Sequence, residues 1–89
     1  MNEITLTIQH EVGLHARPAA LFVKKAMEFQ SAITVFCGDR KANAKSILNV
    51  LTLGANKGAQ ITVQADGSDS EAALAALQEL VDSNFGGVA

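Results

Sequence analysis

In three segments of this chain apolar residues recur at every second position: Ile4-Thr5-Leu6-Thr7-Ile8, Ile33-Thr34-Val35-Phe36-Cys37 and Ile61-Thr62-Val63-Gln64-Ala65. A period of two is the signature of a strand with one dry face and one wet face. Several such strands make a sheet whose apolar side must be covered from one direction. Any helices in the chain therefore belong on that one side, and the expected fold class is α+β, an open two-layer sandwich. With 89 residues there is room for one domain, residues 1–89, and a small core.

The helices are legible from a different period. After Gly13, residues Ala19, Phe22, Val23, Ala26 and Phe29 fall three and four apart, with Lys24, Lys25 and Glu28 opposite, which predicts an amphipathic helix from Ala16 to about Phe29. Gly38-Asp39 reads as a hairpin turn into a short polar edge strand, Arg40 to Ala44. Ser46 precedes a short apolar run from Ile47 to Leu53 that Gly54 stops, a short helix. Ser68 or Ser70 is expected to cap a last helix whose core face is Ala73, Leu74, Leu77, Leu80 and Val81; the tail Gly86-Gly87-Val88-Ala89 is expected to be loose. The order is β-α-β-β-α-β-α.

Composition removes several classes of function. Seven Lys and Arg against nine Asp and Glu leave a formal net charge of −2, which argues against nonspecific nucleic-acid binding. Four Phe with no Trp or Tyr cannot build a stacking platform for bases. A single Cys37 excludes an internal disulfide and a thiolate zinc site, and it reads as a small core side chain. There is no apolar run of membrane-spanning length and no basic, apolar secretory start, so a cytoplasmic protein with no membrane insertion is expected. His10 and His15 alone do not make a metal site, and His10 reads as a solvated loop residue.

The densest chemistry sits where the first strand hands over to the first helix, in Gly13-Leu14-His15-Ala16-Arg17-Pro18. Pro18 is the only proline, and the first turn of a helix tolerates it because that N–H has no intrahelical acceptor. With His15 as the cap, the N–H groups of Ala16 and Arg17 face outward with the positive end of the helix dipole. Arg17 adds a permanent cation with a fork that fits phosphate oxygens. An imidazole is a competent nucleophile near neutral pH. One short segment thus supplies a nucleophile, backbone donors and a cation for holding a phosphoryl group on His15. The plain alternative is a capping histidine beside a surface arginine.

A second feature is independent of the first. Val50 and Leu53 share one face of the short helix; Ile47, Leu48 and Leu51 share another. So small a domain can bury only one of them well, and the other is expected to form an exposed docking patch, with Leu21 extending it from the first helix. Lys24, Lys25, Lys41 and Lys45 read as a solvated, locally basic rim; Asp66, Asp69, Glu71, Glu79 and Asp82 read as solvating charges.

Gly-Leu-His-Ala-Arg-Pro-Ala at 13–19 resembles the active-site signature of the HPr family, the histidine-containing phosphocarriers of the bacterial phosphotransferase system. Ala44-Lys45-Ser46-Ile47, Leu53-Gly54 and Lys57-Gly58-Ala59 resemble that family's second signature, around a regulatory serine. The resemblance covers nearly the whole chain. It implies a four-stranded antiparallel sheet in the order 1-4-2-3 with three helices on one face. It implies that His15 takes a phosphoryl group on Nδ1 from Enzyme I, charged by phosphoenolpyruvate, and gives it to a histidine of an EIIA domain, with Arg17 neutralising the group. Ala16 and Arg17 would supply backbone donors, and Ala16, Ala20, Ile47, Leu48 and Leu51 the docking face. Ser46 would be the target of an HPr kinase/phosphorylase, its product read by a transcriptional regulator. A monomer without metal or organic cofactor, with no turnover of its own, is expected. Met27 and Asn49 depart from the basic residues that several sugar-system members carry at these positions, and Asn84-Phe85-Gly86 occurs also in the nitrogen-related branch. The alternatives are therefore a nitrogen-branch carrier or a module regulated through Ser46. An acyl-phosphate hydrolase would need a base to position water, and only Glu11 lies near His15 in sequence.

Overall fold

The computed structural model describes residues 2–11 and 13–87, Ala16 and Gly87 by their backbone only. Its elements are β1 (Asn2–Thr7), α1 (Ala16–Ala26), β2 (Ala32–Cys37), β3 (Arg40–Asn43), α2 (Ile47–Leu51), β4 (Gln60–Asp66), α3 (Ser70–Asp82) and a closing 3-10 turn (Phe85–Gly87). The strands form one antiparallel sheet in the order β1-β4-β2-β3, as the family resemblance implied.

The register explains why the alternation matters. Ile4 pairs with Val63, Val63 with Val35, and Val35 with Ala42, so one apolar row crosses all four strands on the covered face. The next row out is polar: Glu3, Gln64, Thr34 and Asn43 pair across the open face, and Gln64 Nε2 donates to Glu3 Oε1 at 2.9 Å. A slip of one residue would exchange the two faces. Ala19, Phe22, Val23 and Ala26 of α1 meet Ala73, Leu74, Leu77 and Val81 of α3 over the dry face, and Val50 of α2 closes it near β3. Full burial of a side chain such as Phe22 contributes about 2–3 kcal/mol.

Several expectations need correction. α1 ends at Ala26, not Phe29: the amides of Glu28 and Phe29 bond three residues back, to Lys25 at 3.1 Å and Ala26 at 3.3 Å, which tightens the chain before it turns into β2. Neither Ser68 nor Ser70 occupies the N-cap of α3; Asp69 does, and Ser70 is buried with its Oγ accepting from Asn2 Nδ2 at 2.8 Å. Leu80 and Cys37 are partly buried at the margin of the core. The tail is not loose where it is described. Asn84 and Phe85 take positive φ, the chain folds back, Gly86 N–H donates to Ser83 O, and Phe85 is only 1% exposed. Val88 and Ala89 lie outside the described residues.

Phe85 also overturns the reading of His10. That imidazole is buried, edge-on to Phe85 with ring centres 5.9 Å apart and planes at 82°. Leu21 likewise packs against the core, lining a hollow with Leu80 and Phe85, and does not extend the exposed patch.

Candidate functional site

The β1–α1 connection is held by the loop that leads into β4, the strand paired with β1. Ile8 N–H donates to Ala59 O at 2.8 Å, Gly58 N–H to Ile8 O at 2.7 Å, and Leu14 N–H to Ala55 O at 2.7 Å. Gly13 makes the approach possible. Its φ is +74°, and a Cβ there would collide with Ala55 O and stand 2.8 Å from Asn56 Cα. Leu14 is fully buried beneath the loop, so the next residue must face outward.

That residue is His15, extended (φ −131°, ψ 162°) in the N-cap position of α1. Its side chain makes no capping bond. The imidazole is half-buried, and its Nε2 stands 3.2 Å from Asn56 Oδ1. The helix ladder begins only at Ala19 N–H, which donates to His15 O at 3.4 Å; Pro18 has no N–H to place. The amides of Ala16 and Arg17 therefore have no acceptor within the helix. Arg17 is exposed, and the ion pair formed among the described residues is Lys25–Glu28, at 3.4 Å, where α1 ends and the chain turns toward β2. His15 and the start of α1 thus come together as the sequence suggests.

Ser46 caps α2, its Oγ accepting from Asn49 N–H at 3.4 Å. Beyond it the two faces of α2 separate as expected: Val50 is fully buried, while Leu48 is 72% exposed and Ile47 and Leu51 are more than a third exposed. Ala20 is exposed and, with Val23, Lys24, Met27 and Ile47, lines a shallow apolar hollow of about 410 Å³ between α1 and α2. Met27, 64% exposed, belongs to this surface; its helical spacing from Ala20 and Val23 could have identified it. Asn56 could not have been found that way, since 41 residues separate it from His15 and only loop closure joins them.

Two of the expected charges are not solvating. Asp69 accepts from Gln30 N–H at 2.8 Å, Ser31 N–H at 2.9 Å and the Ser31 hydroxyl. The Ser31 hydroxyl above all, with the Gln30 amide, holds its carboxyl below the ordinary carboxylate range. Lys45 Nζ donates to Phe29 O at 2.7 Å, fastening the turn between α1 and β2. Among the described residues no group of three His, Cys, Asp or Glu is placed to hold a metal ion, and no helix is long and apolar enough to cross a membrane.

Comparison with known proteins decides the family. The family model described as the phosphotransferase-system HPr component phosphorylation site matches residues 2–83. The chain belongs to the HPr family. The phosphocarrier protein HPr of Mycoplasma capricolum is 40% identical over 84 residues, 93% of this chain and 94% of that protein. The crystal structure of HPr-C-His from Thermoanaerobacter tengcongensis superposes with a TM-score of 0.96 at 45% identity over the whole of both chains. A crystal structure of an HPr dimer from the same organism is 46% identical, with a TM-score of 0.77, over 96% of this chain and 98% of that one. The family is that of the phosphocarriers of the phosphotransferase system, and phosphohistidine chemistry and sugar transport follow from membership of it.

Proposed function

We propose that His15 is the phosphoryl-accepting residue and residues 1–89 a single carrier domain. Nδ1 takes the group from phospho-Enzyme I, itself charged by phosphoenolpyruvate, and passes it to a histidine on an EIIA domain. The observation that carries this reading is the cap of α1. A half-buried imidazole with no capping bond stands at the positive end of a helix, two residues before an arginine that has no ion pair among the described residues. Arg17 and the amides of Ala16 and Arg17 would balance the phosphoryl charge. In-line transfer needs a second protein to complete the charge stabilisation, so the chain alone turns over negligibly. The exposed side chains of Ala20, Ile47, Leu48 and Leu51, beside Ala16, supply an apolar docking face within reach of the helix start. A soluble cytoplasmic monomer leaves that face open; a relative was solved as a dimer, and sedimentation of this chain settles its own state.

Intact-mass spectrometry after incubation with phosphoenolpyruvate and Enzyme I tests the reading. One acid-labile phosphoryl group, absent in His15→Ala, is expected. Labelling that survives the substitution would sink it. Met27 and Asn49, both exposed and uncharged, weaken steering toward an acidic partner, so sugar-system and nitrogen-branch Enzyme I should both be tried.

Ser46 supports a second, compatible reading, regulation by an HPr kinase/phosphorylase. Phosphate on the α2 cap is favourable for the helix, yet it sets a dianion beside exposed Ile47 and Leu48. Acid-stable phosphate lost in Ser46→Ala, and read by a transcriptional regulator, is the expected sign.

A further inference from the structure

The contact between His15 and Asn56 offers more than placement, provided that His15 is the phosphoryl acceptor, the reading on which its role rests. The backbone holds Asn56 in position without help from the imidazole. Ala55 O is tied to Leu14 N–H, Gly58 N–H to Ile8 O, and Asn56 O accepts from Ala59 N–H at 2.9 Å. Gly13 lets the two segments touch at Asn56 Cα. The amide of the side chain then faces Nε2 of His15, with Oδ1 at 3.2 Å.

Two arrangements can make this contact. In one, Nε2–H donates to Oδ1 and Nδ1 carries the lone pair. In the other, the amide is turned, its NH2 donates to a bare Nε2, and the ring proton sits on Nδ1. Only the first leaves Nδ1 able to attack phosphorus. We infer that Asn56 is a positioning residue for phosphoryl transfer: Oδ1 accepts the Nε2 proton, holds the ring in the tautomer with Nδ1 free, and shares the positive charge that the ring gains as it reacts. In the step itself the Nδ1 lone pair forms the N–P bond. The bond from phosphorus to the donor nitrogen breaks, and its electron pair returns to the donor. The Nε2 proton stays on His15 and becomes more acidic, so its bond to Oδ1 is stronger in the transition state than before it, which is the condition for raising a rate. An amide suits this better than a carboxylate, whose charge would repel the incoming phosphoryl group.

The test uses ring nitrogen shifts and two-bond proton–nitrogen couplings of His15, in the full chain, at a pH where the ring is neutral. In the wild type the Nε2–H pattern is expected, more completely than in a free histidine. Asn56→Ala should fall back toward the free mixture. Asn56→Asp, an acceptor that cannot donate, should keep the wild-type pattern. The saturating rate of phosphoryl acceptance from phospho-Enzyme I should fall about three- to tenfold in Asn56→Ala, with the half-saturating concentration unchanged. A wild-type ring protonated on Nδ1, or an Asn56→Ala protein in which either ring pattern or rate is unmoved, overturns the inference and leaves the carrier reading standing. A wild type that takes no phosphoryl group on His15 overturns the carrier reading instead.

Discussion

The starts of α1 and α3 are built alike and used oppositely. Each places a polar residue, His15 or Asp69, at the N-cap, and neither residue's side chain bonds the first turn of its own helix. Asp69 turns its carboxylate away to three donors on the segment between α1 and β2. Its polar capacity is consumed in fastening two layers together. His15 has one 3.2 Å contact through one ring nitrogen, and the other nitrogen and the helix dipole remain for an incoming group. A cap residue that declines to cap is therefore not a signal by itself. What separates the structural from the functional case is how much of the side chain the rest of the fold has already used.

The comparison breaks first at His15. His15→Ala should abolish phosphoryl acceptance outright while stability stays within about 0.5 kcal/mol, because no capping bond is lost. Paired mass-spectrometric and urea measurements on the same protein check both halves. Gly13→Ala should do the reverse in the folding assay. Its φ of +74° and the collision with Ala55 and Asn56 are expected to remove roughly 2–4 kcal/mol of stability. A Gly13→Ala protein as stable as the wild type would show that the 54–58 segment does not fix the site.

How much of the molecule is legible in the sequence divides along the same line. Period-two strands, the α1 face, the two faces of α2 and the Ser46 cap are all legible, because each depends on residues close together in the chain. The core of the candidate site is legible too, since His15, Arg17 and Pro18 are contiguous. Closures between distant segments are not. His10 looks solvated in the sequence because nothing local announces Phe85, which reaches it only through two consecutive residues with positive φ. Asp69 looks like a solvating charge because Ser31 and Gln30 lie 38 and 39 residues away. Asn56 escapes for the same reason.

Asp69 gives the next effect in size, and its sign is fixed by the hydrogen bonds. The Ser31 hydroxyl and the Gln30 amide favour the ionised carboxyl, so its value in the folded protein lies below the ordinary one. The stability it contributes is complete above the unfolded-state value of about 3.9 and disappears as pH falls through the lower folded value. Asp69→Asn should therefore be less stable than the wild type near neutrality, and the gap should close below about pH 4. Phosphoryl acceptance should be unaffected wherever the variant is folded. A gap that persists unchanged into acid would mean that the carboxylate's charge is not what binds the Ser31 segment.

Ser46 provides the smallest and most discriminating effect, because it starts α2 and is the only one of the three α-helix N-caps whose side chain caps. Its bond to Asn49 N–H is long, at 3.4 Å, and α2 has only five residues. Ser46→Ala should cost about 0.5–1 kcal/mol, the lower part of the range for lost caps. If the cap is all that Ser46 provides, transfer from Enzyme I should follow stability and barely change. Ser46→Asp separates the two roles. Aspartate is as good a cap as serine, so folding should recover, but its charge stands next to Ile47 and Leu48 on the proposed docking face. The expected outcome is a protein of wild-type stability with weakened partner docking, read as a raised half-saturating concentration for Enzyme I. Unchanged docking in Ser46→Asp would move the docking surface away from the start of α2, toward the Ala20 and Met27 side of the hollow.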